Sequence, residues 1–143
     1  MIAVDTNILV PFMRTEYPQH SAAYECIRTL AEGTAVWALP WPCLHEFLAV
    51  VTNPRIFREP STPAEAITAV DARLESPTVR LLGEEPGYWS VAKALIEAPG
   101  VIGGRVHDAR VAALCLLHGV KELWTADRDF SWFPKLRVRN PLA

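Results

Sequence analysis

Met1-Ile2-Ala3-Val4-Asp5-Thr6-Asn7-Ile8-Leu9-Val10 opens the chain with an apolar run, three polar residues and a second apolar run. The pattern fits a short buried strand that ends on an acid and passes at once into a helix. In an open parallel sheet, ligands bind outside the carboxyl ends of the strands, which puts Asp5 on the working rim. The tripeptide also has a plainer explanation, because Asp, Thr and Asn all cap helices well. The choice between the two depends on whether other carboxylates lie in matching places.

Outward from this stretch the chain alternates strands with helices. Pro18 to Glu32 reads as a helix stopped by Gly33, and Ala35 to Leu39 as a continuously apolar second strand. Pro40 and Pro42 mark a strand-to-helix turn into a helix over 42–52, whose core stripe is Leu44, Phe47, Leu48 and Val51. A polar, proline-bearing connector over 55–63 reads as mobile. A helix over 63–74 follows, with Ala66, Ile67, Val70 and Leu74 facing inward, then a strand over 78–82. The helix over 85–97 has Trp89, Ala92, Leu95 and Ile96 on its apolar side. The most apolar helix, 106–118, is stopped by Gly119; strands over 122–126 and 136–138 complete the pattern. This alternation predicts an α/β fold, a three-layer α/β/α sandwich around a short, mainly parallel sheet. No repeat or linker divides residues 1–143, which read as one domain.

Half of the 143 residues are hydrophobic, 21% are charged and the net charge is −2. That excludes a protein coating nucleic acid through bulk charge. It leaves open a nuclease, because an acidic site engages phosphate through metal ions. No apolar run of about eighteen residues indicates a membrane span, and no basic lead suggests a secretory signal. The three cysteines are widely spaced without a C-x-x-C pair. They fit reduced thiols in a cytoplasm-like compartment better than a structural zinc site.

The acids carry the chemistry. Asp5 and Asp127 end predicted strands, and Asp129 follows two residues later. Glu46 lies on the helix entered from the second strand, in line with Cys43, Ala49 and Val50. Asp108 sits in the first turn of the most apolar helix, on a face shared with Val111, Ala112 and Cys115. A favourable helix dipole, worth about 0.3–1 kcal/mol, explains one such acid but not the set. Carboxylates crowded without cations raise one another's pKa, and a divalent ion removes the conflict. Oxygen donors alone favour Mg²⁺ or Mn²⁺, and phosphodiester hydrolysis is the natural reaction. Successive helical residues point about 100° apart, so His45 and His107 are expected to face away from the acids beside them. Trp37, Trp89 and Trp124 read as core, and Trp41 and Trp132 as candidates for a partner interface. Arg14, Arg105, Arg110 and Arg128 read equally as RNA phosphate contacts or solvated surface.

Four motifs in order, Val4-Asp5-Thr6-Asn7, His45-Glu46-Phe47, His107-Asp108-Ala109 and Thr125-Ala126-Asp127-Arg128-Asp129-Phe130, resemble those of the PIN-domain ribonucleases. Within that family the likeness is to the VapC-type toxins of bacterial toxin–antitoxin pairs. The resemblance implies that Asp5, Glu46, Asp108 and Asp127 form a catalytic quartet binding Mg²⁺ or Mn²⁺, with Asp129 a further metal-site acid. It gives Thr6, Asn7 and Thr125 supporting roles beside the site. It further implies a PIN-like sandwich, a metal-dependent endoribonuclease that inhibits translation or growth, a homodimer and a cognate antitoxin protein, in the cytoplasm. His107-Asp108 also resembles the pair of HD phosphohydrolases, but the predicted strands count against that helical class. Asp5-Thr6-Asn7 is similar to the haloacid-dehalogenase start, except that Asn7 stands where a second Asp is needed. The alternative is a catalytically silent PIN-like module binding RNA or protein, and the complete quartet favours the enzyme.

Overall fold

Ile2, Ala3 and Val4 are apolar on both faces, as a strand covered by helices on either side must be. In the computed structural model, which describes residues 1–143, they form β1 (Ile2–Val4) at the centre of a parallel sheet. The remaining strands are β2 (Trp37–Pro40), β3 (Val79–Leu82), β4 (Glu122–Trp124) and β5 (Val138–Arg139), in the order β3-β2-β1-β4-β5. Every pairing is parallel. Helices α1 (Thr6–Met13), α2 (His20–Glu32), α3 (Trp41–Val51), α4 (Pro63–Leu74), α5 (Tyr88–Ile96) and α6 (Arg105–Leu117) connect them. A short 3₁₀ turn, Arg128–Trp132, follows β4.

Side chains alternate across the strands and supply two cores, one on each face of the sheet. Ala3, Ala38 and Leu123 pack with α6, Phe130 and Phe133. Val4, Trp37, Leu39 and Trp124 pack with α1 to α4 through Ile8, Ile27, Leu44 and Val70. This is the three-layer α/β/α sandwich expected from the sequence. The chain runs outward from β1 through β2 to β3, then returns past β1 to β4. The carboxyl ends of β1 and β4 therefore flank the topological switch point, where such sheets bind ligands. Register puts Val4 opposite Trp124, so Asp5 emerges beside Thr125.

Several expectations need correction. The second helix starts at His20 rather than Pro18, and the last strand is Val138–Arg139 rather than 136–138. Ile67 is 53% exposed and Trp89 64% exposed, though both were expected to face inward. Periodicity alone cannot tell an apolar face that meets the sheet from one that the sheet is too narrow to cover. The connector after α3 is pinned rather than free. Arg14 donates to Glu59 O and Ser61 Oγ and stacks over the buried Phe57 ring at 4.2 Å. No helix is long and apolar enough to cross a membrane.

The approach to α6 rests on a glycine. Gly100 has φ +87°, and a Cβ there would come within 2.7 Å of the Trp132 ring, which is itself sandwiched by Arg105 at 4.0 Å. Gly100→Ala adds the left-handed penalty to this collision and is expected to cost about 2 kcal/mol. Thermal melts monitored by circular dichroism should show a fall in Tm on the order of 5 °C. An unchanged Tm would mean that neither constraint is felt.

Candidate active site

Asp5 follows β1 directly and is the N-cap of α1, with extended backbone and its side chain turned back onto the helix start. It is 6% exposed. Oδ1 accepts from the Thr6 amide at 2.7 Å and from the Cys43 thiol at 3.4 Å, and Oδ2 accepts from the Thr125 hydroxyl at 2.8 Å. Burial pushes the Asp5 carboxyl above its ordinary value, these three donors oppose the shift, and Glu46 adds to it. Capping and site placement, two alternatives in the sequence, thus fall to the same residue. The cap is Asp5 itself rather than Thr6 or Asn7.

Thr125 ties the two strand ends together. Its oxygen accepts from Asn7 Nδ2 at 3.1 Å and from the Asp127 amide at 3.0 Å while donating to Asp5. Asn7 Oδ1 accepts from the Ala126 amide at 2.9 Å, and Asp127 Oδ1 from the Asp129 amide at 2.8 Å. Thr6 donates its hydroxyl toward Cys43 O at 3.0 Å and Glu46 Oε2 at 3.2 Å. The polar residues beside the acids therefore fix α1, α3 and the β4 end relative to one another.

Asp108 lies in the first turn of α6, and carboxylate oxygens of Asp108, Asp127 and Asp129 lie within 4.8 Å of one another. The Asp108 carboxyl is pushed up to about 6 by burial, and then by Asp127, Asp5, Asp129 and Glu46. All five acids named from the sequence thus act on one point. None of them is paired with a lysine or arginine: Arg110 pairs with Glu84, and Arg14 with Glu16. Oxygen donors, mutual repulsion and the lack of a protein counter-charge fit a hard divalent cation.

These groups open onto a cavity of about 610 Å³ lined by Asp5, Asn7, Glu46, Asp108 and Asp127 among others. Two sequence expectations fail here. Glu46 is exposed at the mouth rather than set in apolar surroundings. His45 and His107 line the same cavity as the acids beside them, because the wall curves around more than one helical face. Asp129 is exposed and does not line the cavity, although it belongs to the carboxylate cluster. Cys43 joins the site as a donor to Asp5, a role its residue type does not announce. Its place three residues before Glu46 on one helical face was the available signal. Burial holds its thiol protonated, well above its ordinary value, so it serves Asp5 as a donor.

Comparisons with known proteins agree with this architecture. A family model for the PIN domain matches residues 2–136. Ribonuclease VapC43 of Mycobacterium tuberculosis is 35% identical over 142 residues, covering 99% of this chain and 96% of that protein. Ribonuclease VapC48 of the same organism is 31% identical over 139 residues, covering 97% and 96%. Among solved structures, M. tuberculosis VapC20, described as a Sarcin-Ricin loop cleaving toxin, superposes with TM-score 0.67 at 22% identity, covering 92% of this chain and 93% of that one. VapBC2 from Rickettsia felis, bound to a DNA fragment from its promoter, gives TM-score 0.68 at 19% identity, with 98% of both chains covered. These two likenesses speak to fold alone. On the family match and the full-length relatives together, the chain belongs to the PIN-domain family, among the VapC ribonucleases.

Proposed function

We propose that this chain, read over 1–143 as one PIN domain, is a metal-dependent endoribonuclease and the toxin member of a toxin–antitoxin pair. The observation that carries the reading is the convergence of four carboxylates, Asp5, Glu46, Asp127 and Asp129, on a fifth, Asp108, without any basic partner, at the β1/β4 switch point. A module that only binds RNA or protein gains nothing from that repulsion. The ribonuclease names of the full-length relatives favour the same reading. Asp5, Asp108, Asp127 and Glu46 would hold Mg²⁺ or Mn²⁺, with Asp129 at the outer edge. The ion supplies Lewis-acid activation of the phosphodiester and of water for an in-line displacement.

The chain's own residues do the rest. Asp5 is held rigid by its three donors, so it presents one carboxylate geometry to the site. Thr125 couples that geometry to Asp127. Glu46, tethered by Thr6 but open to the cavity, would either hold the ion directly or orient a water beside it. The open cavity admits a phosphate backbone. We further read the protein as a cytoplasmic homodimer held inactive by a cognate antitoxin protein. The VapBC2 likeness supports an antitoxin, the three free cysteines suit a reducing compartment, and exposed Trp89 supplies apolar surface for self-association.

Purified protein is expected to cut RNA in Mn²⁺ or Mg²⁺ and to be inert in EDTA. Cleavage that persists in EDTA overturns the metal-dependent reading. Intact RNA with either metal overturns the ribonuclease reading itself.

A further inference from the structure

We propose that Trp41 and His45 form a stacking shelf for a nucleobase of the RNA substrate, next to the scissile phosphate. The proposal rests on the ribonuclease reading and adds to it a residue that positions substrate. Trp41 is 37% exposed although it begins α3, the helix that carries Glu46. Its ring lies 6.3 Å from that of His45, tilted by 56°. His45, one turn further on the same face, lines the cavity beside Glu46. The shelf is therefore continuous with the wall that holds the acids. Of the exposed tryptophans, Trp41 alone has its ring against a side chain of that wall; Trp132 is covered by Arg105, which does not line it.

The ring is also pre-positioned. Pro40 and Pro42 restrict the backbone on both sides of Trp41. Gly83, at the end of β3, packs against the ring so closely that a Cβ there would lie 3.4 Å from Trp41 Cδ1. Glu84, the next residue, pairs with Arg110 of the cavity wall. The indole thus stands between the His45 imidazole and Gly83, and is 37% exposed. Aromatic rings so presented take up bases splayed from single-stranded loops, and every base has a face to offer. A protein ligand would have no need for the ring to abut the phosphate-binding wall.

The test uses a short oligoribonucleotide with a mapped cut site, in which an abasic nucleotide is walked through the flanking positions. Wild-type protein is expected to lose about tenfold in kcat/KM at one abasic position. Trp41→Leu should lose about tenfold on intact RNA, mostly in KM, and lose nothing more at that same abasic position. Trp41→Phe should stay within about threefold of wild type. His45→Leu should reduce the penalty at the same position, and it carries the test if Trp41→Leu melts early. Anisotropy binding of the same RNAs to these variants in the Asp5→Asn background gives a readout independent of cleavage. If wild type cuts the RNA but the Trp41 and abasic losses multiply at every position, or Trp41→Leu loses nothing, the shelf is overturned. Loss of antitoxin capture by Trp41→Leu with an unchanged abasic profile also overturns it. If wild type cuts no RNA with either metal, the ribonuclease reading fails, and the abasic binding profile judges the shelf separately.

Discussion

Asp5→Asn is expected to lower RNA cleavage by at least ~10³-fold while leaving the melting temperature within a few degrees of wild type. The substitution keeps size and shape at a 6% exposed position, so packing is undisturbed. The amide oxygen can still accept from the Thr6 amide and the Cys43 thiol, which preserves the helix cap. The new NH₂ group meets the Thr125 oxygen, whose lone pairs already serve Asn7 and the Asp127 amide. That conflict costs about 1–2 kcal/mol. It is offset because a carboxylate whose charged form burial disfavours has been removed. Charge is lost at a site whose chemistry depends on it, and fold is kept. Cleavage assays in Mn²⁺ with parallel melts decide the matter: near-wild-type activity removes Asp5 from the machinery, and a collapsed melt would mean that its bond from Thr125 is chiefly structural.

What the sequence made legible follows from short-range physics. An apolar run ending on an acid located β1 and Asp5, because strand burial and helix capping are both written in adjacent residues. Asp108 was legible for the same reason, as an acid at the start of a helix that is otherwise apolar. What depended on the width and curvature of the assembled sheet was not. Trp89 sits on a face with apolar spacing, yet α5 packs on α6 through Ala92, Leu95 and Ile96 and leaves Trp89 outside that contact. His45 and His107 each point a helical step away from a neighbouring acid and still meet the same cavity. Glu46 was placed on the correct helix but in the wrong surroundings, since its helix turns that residue to the mouth.

The hydrogen bonds around Asp5 were equally hidden, because their partners lie far apart in the chain. Thr125 is 120 residues from Asp5, and Cys43 is 38 away. Only the parallel register of β1 against β4 brings the first pair together, and no local pattern encodes a register. The Arg14 clip on the connector is a further case. A loop that looks free in sequence becomes fixed once α1 presents a guanidinium to Glu59, Ser61 and Phe57.

In metal-free protein, Asp108→Asn is expected to be more stable than the parent at pH 7.5 and no more stable at pH 4, while cleavage falls as far as for Asp5→Asn. Unfolded, Asp108 titrates near 3.9; folded, it is pushed up to about 6 by burial and then by Asp127, Asp5, Asp129 and Glu46. Between these values the folded chain holds a proton that the unfolded chain has released. The parent's stability from this group is therefore complete below about pH 4 and is lost as pH rises through 6. Asn does not ionise and escapes that loss. A shift of about two pH units corresponds to about 3 kcal/mol at full burial. The side chain is only partly buried, so solvent screening leaves on the order of 1 kcal/mol, or about 3 °C in Tm. Millimolar Mn²⁺ should reverse the ranking, because a cation bound by the native parent stabilises it in proportion to its occupancy and the variant has lost a donor. Melts at pH 4, 5.5 and 7.5, in EDTA and in Mn²⁺, read all of this. A variant less stable than the parent in EDTA at pH 7.5 would mean that carboxylate repulsion is not what the site asks a cation to relieve. A variant that gains as much from Mn²⁺ as the parent would remove Asp108 from the donor set.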